Sequence, residues 1–395
     1  MSTLELYGIR LSMHGTPFKM NILLVIPSLS SYEGGIVSST TNFALALARN
    51  NQDITIACLE DGDSFKKAAQ LRKYGIEVVL IKVIYKSALS FFPLIEFFKT
   101  HLKDYEICYI HGLWLFPQLV AAHYARKFKI PYIVAVHGML SPWALGNKRI
   151  KKQIYWILFE KRNLRQAKAI HALNHNEKRS ILEKVGSKID IIVIPNGLSV
   201  NSTNTLKIRE RECNKTILSL CRLNKSKGLD MLISAFANLT GRYPGWNLII
   251  AGPDEGNYKR ILVEITKRNK IENKVQFVGK VSGKRKEELF LSSDLFVLPS
   301  YSEGFSVVLL EAMQYSLPLL FTTKCNFPEA AETGAGIEVT PTKDTIQNEL
   351  ARLIEMSPEQ RSVMGERGFR LITKKYTMDN IARQLRNHFE NILKG

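Results

Sequence analysis

Apolar positions along this chain fall into short unbroken runs separated by stretches with helical spacing. Residues 22–27 read ILLVIP, a continuous apolar run of the kind found in a strand buried on both faces. Gly34 and Gly35 follow, then a helical stretch over 38–49. Further strands are predicted at 54–58, 76–81, 107–110, 130–136, 169–173 and 189–194, with a helix over 119–128. Residues 198–214 are polar and weakly patterned and read as a linker. The alternation then restarts: strands at 217–220, 247–251, 275–278, 295–299 and 317–321, and helices over 229–239, 307–315 and 377–393. The fold class is therefore α/β, with two doubly wound halves of similar size. Ligands in such sheets bind beyond the carboxyl ends of the strands, so the expected site is the cleft between the halves.

Composition narrows the partners. The 395 residues carry 55 Lys and Arg against 36 Asp and Glu, a formal net charge of +19. That balance points to an anionic partner: a phosphorylated substrate, an anionic membrane surface or nucleic acid. Apolar residues at 45% exclude disordered and low-complexity classes. The five cysteines, Cys58, Cys108, Cys213, Cys221 and Cys325, include no CxxC spacing, which argues against a zinc site or a disulfide framework and fits a reducing compartment. No apolar run approaches the roughly 18 residues of a membrane span. Residues 1–19, before the first strong strand, are expected to be a mobile extension.

Two strand-end segments carry the strongest candidate chemistry. In the first, Ser302-Glu303-Gly304-Phe305-Ser306 leads into a helix bearing Glu311, so two carboxylates bracket a glycine turn and a helix N-terminus. Free N–H groups and the positive end of the helix dipole suit phosphate there. The plainer alternative makes Glu303 a helix cap and Glu311 part of a solvated face. In the second, Cys221-Arg222-Leu223-Asn224-Lys225-Ser226-Lys227-Gly228 joins a strand to a helix, and Arg222 and Lys227 stand where they could clamp a diphosphate. The sequence GxxxxGK[ST] of a P-loop is absent. Asp61-Gly62-Asp63 is the nearest approach to an Asp-x-Asp metal element and reads as a surface turn, so no metal site is expected.

Together with Gly34-Gly35, His137-Gly138, Ile194-Pro195-Asn196-Gly197, Ala251-Gly252-Pro253 and Phe277-Val278-Gly279, these segments resemble the retaining glycosyltransferases of family 4, over about residues 20–375. The resemblance implies the GT-B fold: an acceptor-binding Rossmann-like domain at 20–196, a nucleotide-sugar-binding one at 197–375, and a C-terminal helix at 376–395 crossing back onto the first. It implies that Arg222 and Lys227 hold the diphosphate of a nucleotide sugar, that Glu311 binds ribose hydroxyls, and that Glu303 with Gly304, Phe305 and Ser306 holds the donor sugar and phosphate. His137 would contact the sugar near the reacting carbon. Gly34 and Gly35 would let backbone approach the phosphates or the acceptor, and Gly252, Pro253, Val278, Gly279 and Val281 would frame the base. His111 and Trp114, in His111-Gly112-Leu113-Trp114, would face the acceptor. Residues 137–145 are similar to a subset of bacterial surface-polysaccharide transferases, many of which carry Asp where this chain has Ser141.

The expected activity is then transfer of a hexosyl group from a nucleotide-diphosphate sugar, with retention and without metal or other cofactor. The acceptor would be a saccharide, lipid-linked, in surface polysaccharide synthesis. Charge distribution adds a location. Residues 148–188 hold twelve Lys or Arg against three Glu, and Lys148, Arg149, Lys151 and Lys152 precede the apolar stretch 154–159. Phe91-Phe92-Pro93-Leu94-Ile95-Glu96-Phe97-Phe98 is a second such stretch. Both fit a protein peripheral on the inner face of the cell membrane. A non-catalytic basic scaffold binding membrane or polyanion is the alternative; no nucleic-acid recognition motif is present. His171 and His175, four apart, read as structural.

Overall fold

The computed structural model describes residues 19–30, 35–83, 91–146, 149–200 and 214–394. Among them the chain forms two all-parallel sheets. The first holds β1 (Asn21–Ser28), β2 (Asp53–Leu59), β3 (Glu77–Ile81), β4 (Ile107–His111), β5 (Tyr132–Ala135), β6 (Ala169–Ala172) and β7 (Ile191–Val193), in the order β3-β2-β1-β4-β5-β6-β7. The second holds β8 (Thr216–Leu220), β9 (Asn247–Ala251), β10 (Val275–Gly279), β11 (Leu295–Leu298), β12 (Leu319–Thr322) and β13 (Gly336–Val339), in the order β10-β9-β8-β11-β12-β13. Each sheet reverses direction of strand addition at its first strand, between β1 and β4 and between β8 and β11. Those two switch points are where an open α/β sheet leaves a crevice for ligand.

Both sheets are covered on both faces. Leu24, Ile56 and Tyr109 pack with the helix Gly35–Arg49 on one face of the first, and Leu23, Cys108 and Val134 pack with the helix Phe116–Phe128 on the other. Burial of every residue of β1 except Asn21 explains why that run carries no alternation. The last helix, Met378–Lys394, docks Met378, Ile381, Leu385 and Phe389 into the core of the first half. The chain thus crosses twice between halves, and the crossings touch: Leu198 donates to the Tyr376 carbonyl at 2.8 Å and accepts from Met378 N–H at 3.0 Å.

The two doubly wound halves match the expectation from sequence, with local corrections. The strand expected to reach Leu173 stops at Ala172, because the Leu173 N–H turns out of the ladder to donate to the Glu177 carboxylate. The helix expected from 119 begins at Phe116, where Pro117 occupies a first-turn position that needs no N–H donor. Strand β13 was not expected: its four residues, with a glycine and Glu338, are too short and too polar to stand out. His171 lies in β6 while His175 opens the next helix after Asn174, so they share no helix face. The stretch 91–98 is mainly a core helix rather than an outer face, with Leu94 and Phe98 buried and Phe92 open. No helix of the described residues is long and apolar enough to cross a membrane.

Candidate active site

A cavity of about 560 Å³ lies between the halves, at the carboxyl ends of the central strands. The second half supplies most of its charge. After β8 the chain carries Arg222 and Lys227 to the cavity wall, and after β11 it carries Glu303. The close approach of these loops depends on glycine: a Cβ on Gly252 would stand 1.8 Å from the Cys221 carbonyl oxygen. Gly252, Pro253 and Val281 complete that side.

The cations are paired. Lys227 Nζ lies 2.7 Å from Glu303 Oε1, with both side chains only 11% and 13% exposed. Burial works against the Lys227 ammonium, but the Glu303 carboxylate outweighs it and raises the lysine above its usual range. Ser300, fully buried, also donates to Glu303 Oε1 at 2.8 Å. Arg222 pairs with Glu255 at 2.6 Å in a half-exposed position. Lys286 on the cavity wall pairs with Glu311 at 2.6 Å. Each cation therefore has a carboxylate to hold it until an anion competes.

The helix Val307–Gln314 starts at the same wall. Ser306 stands at its N-cap without a side-chain cap bond, and Ser306, Val307 and Val308 line the cavity. First-turn N–H groups without a side-chain cap, beside two cations, suit an anion. Glu303 is not the cap of this helix, which removes the plainer reading of that carboxylate.

The first half contributes neutral groups. Gly35, at the start of its helix, and Ile36, His137, Met139 and Asn196 line the cavity. His137 holds a left-handed backbone, φ +49°, and its Nε2 lies 3.0 Å from Nδ1 of His111. Burial, with His171 adding to it, pushes His137 down to about 3. His111 is held well below its ordinary value by burial, then by His137 and His171. His171 stands at about 4, burial outweighing the bond its Nε2–H donates to the Ile194 carbonyl at 2.6 Å. Three uncharged imidazoles therefore back the cleft at neutral pH.

Residues that the sequence did not single out hold this loop. Asn174 caps the helix His175–Val185, accepting from Glu177 N–H at 2.9 Å. Glu177 in turn accepts from the Leu173 and Gly138 N–H groups, tying the His137 loop down. Burial lifts its carboxyl to about 7 against those two donors. The spacing Asn174-x-x-Glu177 is a helix-start signature, and would have located both residues. Asn174 also donates to the Gly304 carbonyl at 2.6 Å, across the halves. There the backbones meet: a Cβ on Gly138 would come within 2.9 Å of Gly304 Cα.

Of the residues singled out from sequence, the cavity brings together Gly35, His137, Arg222, Lys227, Gly252, Pro253, Val281, Glu303, Gly304, Phe305 and Ser306. Gly34 lies outside the described residues. Glu311 reaches the site through Lys286. Val278 and Gly279 stand behind the wall, where Gly279 accepts from the Gly252 N–H at 2.8 Å. His111 is fully buried behind His137, and Trp114 lines a separate cavity. Among the described residues no group of three or more His, Cys, Asp or Glu side chains could hold a metal ion.

Comparison with known proteins assigns both halves. Residues 33–202 match the family described as Glycosyltransferase Family 4, and residues 202–371 match Glycosyl transferases group 1. A stretch of 129 residues is 36% identical to an uncharacterized glycosyltransferase of Haemophilus influenzae, covering 32% of this chain and only 35% of that protein. The GDP-mannose:cellobiosyl-diphosphopolyprenol alpha-mannosyltransferase of Komagataeibacter xylinus is 23% identical over 325 residues, 82% of this chain and 80% of that one. In three dimensions the chain superimposes on Anabaena Alr3699/HepE, solved in complex with UDP and glucose, with a TM-score of 0.74 at 22% identity. The match covers 94% of this chain and 99% of that one, and its fold is the two-domain GT-B arrangement.

Proposed function

The chain belongs to the family 4 glycosyltransferases, and we propose that it moves a hexosyl group from a nucleotide-diphosphate sugar to a lipid-linked saccharide, with retention and without metal. The observation that carries this reading is the anion site itself: Arg222, Lys227 and the open start of the helix Val307–Gln314 converge on one interdomain cavity opposite His137. Departure of the nucleoside diphosphate breaks the bond between the anomeric carbon and the β-phosphate oxygen. The electron pair stays on that oxygen, where Lys227 and the helix N–H groups stabilise it. The acceptor hydroxyl forms the new bond on the same face, and its proton passes to the leaving phosphate. Glu303, already bonded to Lys227 and Ser300, takes sugar hydroxyls rather than acting as a nucleophile. Neutral His137 serves as a hydrogen-bond partner to the sugar.

The wider setting of the reading is surface polysaccharide synthesis at an anionic membrane. It is supported by an exposed apolar stripe beside exposed Arg149 and Lys151: Ile150 and Ile157 are each 73% exposed, Leu158 60% and Ile154 55%. A stripe of that kind beside cations suits an interfacial helix.

The test is a thermal-shift panel of UDP, GDP, ADP and their hexose conjugates, with and without Mg²⁺. The Anabaena neighbour was solved with UDP and the Komagataeibacter relative is named for GDP-mannose, so both belong in it. A ligand at 100-fold over its Kd adds about 2.7 kcal/mol of stability. One nucleoside diphosphate raising the melt without metal supports the transferase; silence across the panel from a folded protein overturns it.

A further inference from the structure

The helical segment that carries the apolar stripe is irregular in a way that builds a second cavity. The helix Arg149–Tyr155 passes into a π-helical turn, Trp156–Glu160, before a further helix, Lys161–Arg165. Such turns are rare and recur at functional sites. The wider turn presents Ile157, Leu158 and Phe159 outward in succession. Its last residue, Glu160, is buried and accepts the Trp114 N–H at 2.9 Å. Trp114 itself is held at φ +72°, a left-handed conformation that is strained for a bulky side chain. Its indole N–H and the Tyr155 hydroxyl are buried without hydrogen-bond partners among the described residues.

Between Trp114 and Trp156 opens a cavity of about 620 Å³. Leu140 and Leu145 supply apolar wall; Arg149, Lys152 and Lys184 supply positive charge, with Glu183 the opposing carboxylate. Lys152 stands 5.7 Å over the Trp114 ring and donates to the Ala144 carbonyl. The cavity leads toward the active site: Pro142 and Glu183 also line a neighbouring cavity that ends on Glu303 and Gly304, and Met139, next to Leu140, lines the interdomain cleft. On its other side, Ile157 is both wall and outer stripe. Aromatic walls, three cations and neighbouring cavities between an exposed apolar face and a sugar-transfer site match one ligand chemistry, a phosphate joined to a hydrocarbon chain.

We propose that this cavity seats the phosphate and first chain carbons of a lipid-linked acceptor, with Arg149 and Lys152 on the phosphate and the Trp114 and Trp156 rings on the chain. The inference rests on the transferase reading above. It adds where the acceptor's lipid end is held and which residues read it. The unpaired indole N–H of Trp114, on the cavity wall, is a hydrogen-bond donor available to a bound phosphate ester.

The test uses the full chain and its own tryptophans, of which there are four. Farnesyl diphosphate, titrated below its micellar range, is expected to change the emission saturably. Inorganic diphosphate should bind at least tenfold more weakly and farnesol should not compete. Arg149→Gln with Lys152→Gln should raise the farnesyl diphosphate Kd at least tenfold while leaving the nucleotide thermal shift unchanged. Arg149→Glu alone, at an exposed position, should raise it severalfold and serves if the double variant melts early. Competition by phosphatidylinositol vesicles would assign the phosphate to a glycerolipid source; none would leave a prenyl-type diphosphate as the source. An unchanged Kd in both variants overturns the site, as does binding abolished by Ile154→Ser with Leu158→Ser alone, two stripe residues outside the cavity wall, which would mark adsorption to the stripe. A chain that binds nucleotide sugar but no farnesyl diphosphate loses this inference and keeps its transferase reading. A chain silent to every nucleotide loses the transferase reading, whatever its lipid binding.

Discussion

The two halves share one strand order around their switch points and bring opposite electrostatics to the cleft between them. The second half lines it with ion pairs, Lys227–Glu303, Arg222–Glu255 and Lys286–Glu311. The first half backs it with three uncharged imidazoles and a carboxylate, Glu177, whose partners are backbone N–H groups. One topology therefore supports two tasks. Charge that can be re-partnered suits a phosphate that arrives and leaves. A desolvated neutral surface suits sugar hydroxyls, whose hydrogen bonds gain strength where water is excluded.

Lys227→Ala is the hardest blow to this division. It removes the cation proposed to meet the leaving phosphate and strands Glu303, 13% exposed, without its ion-pair partner. Loss of one such transition-state donor costs about 2.7–4 kcal/mol, a fall in kcat/KM of roughly a hundredfold to a thousandfold. Steady-state transfer or donor hydrolysis with the nucleotide sugar found by thermal shift would measure it. A loss under threefold would mean that the ion pair is architectural and that the charged half does not meet the donor's phosphate.

The neutral half is probed by pH. His137 falls to about 3 and His171 to about 4, below an unfolded value near 6.5, so acid protonates them in the unfolded chain first. Their contribution is present above pH 6.5 and is lost as pH falls toward 4 and 3. Glu177 and Glu160 run the other way: each stands at about 7 when folded against 4.5 unfolded, so their contribution is complete below 4.5 and is lost as pH rises through 7. The two sets oppose each other between about pH 7 and 4.5. His111, also held well below its ordinary value, joins the first set, so three imidazoles outweigh two carboxyls: denaturant midpoints should fall gently as pH drops across that window and steeply below it. Glu177→Gln deletes one opposing group. It should add a decline of about 1.4 kcal/mol per pH unit between 7 and 4.5. Parallel pH curves for variant and parent would mean that Glu177 is not protonated within the fold.

How much of this was legible in sequence follows the same division. The charged half announced itself, because Arg222, Lys227, Glu303 and Glu311 are charges placed at strand ends and within an apolar helix, where the hydrophobic pattern makes them conspicuous. Position along the chain located them, but their pairing needed three dimensions: Glu255 and Lys286 lie 33 and 25 residues from their partners. The neutral half was quieter. His137 stood out because it follows a strand and precedes glycine, whereas Glu177 has neither signal, and its role shows only in the Gly138 N–H that reaches it. His111 was read as facing the acceptor, yet its strand buries it and leaves His137 in front. A strand-end position tells which loop a residue belongs to, while its depth depends on the loop that folds over it.

Arg222 gives the finest measure of the charged half, since its pair with Glu255 differs from the Lys227 pair in one respect, exposure. Its side chain is 50% exposed and that of Glu255 40%, so solvent screens the pair and its net worth to stability is about 0–1 kcal/mol. Arg222→Ala should leave the melting temperature within a degree or two. In the proposed donor complex the same cation acts beside Lys227 and the helix start, and its loss should weaken nucleoside-diphosphate binding about tenfold, near 1.4 kcal/mol. The effect should shrink as salt rises, because a half-exposed charge is screened within a Debye length of about 10 Å at 0.1 M. Calorimetric titration of parent and variant at 0.05 and 0.5 M salt would separate these terms. A variant that binds normally at low salt places Arg222 outside the diphosphate's reach, and Lys227 with the helix start would then carry the phosphate between them.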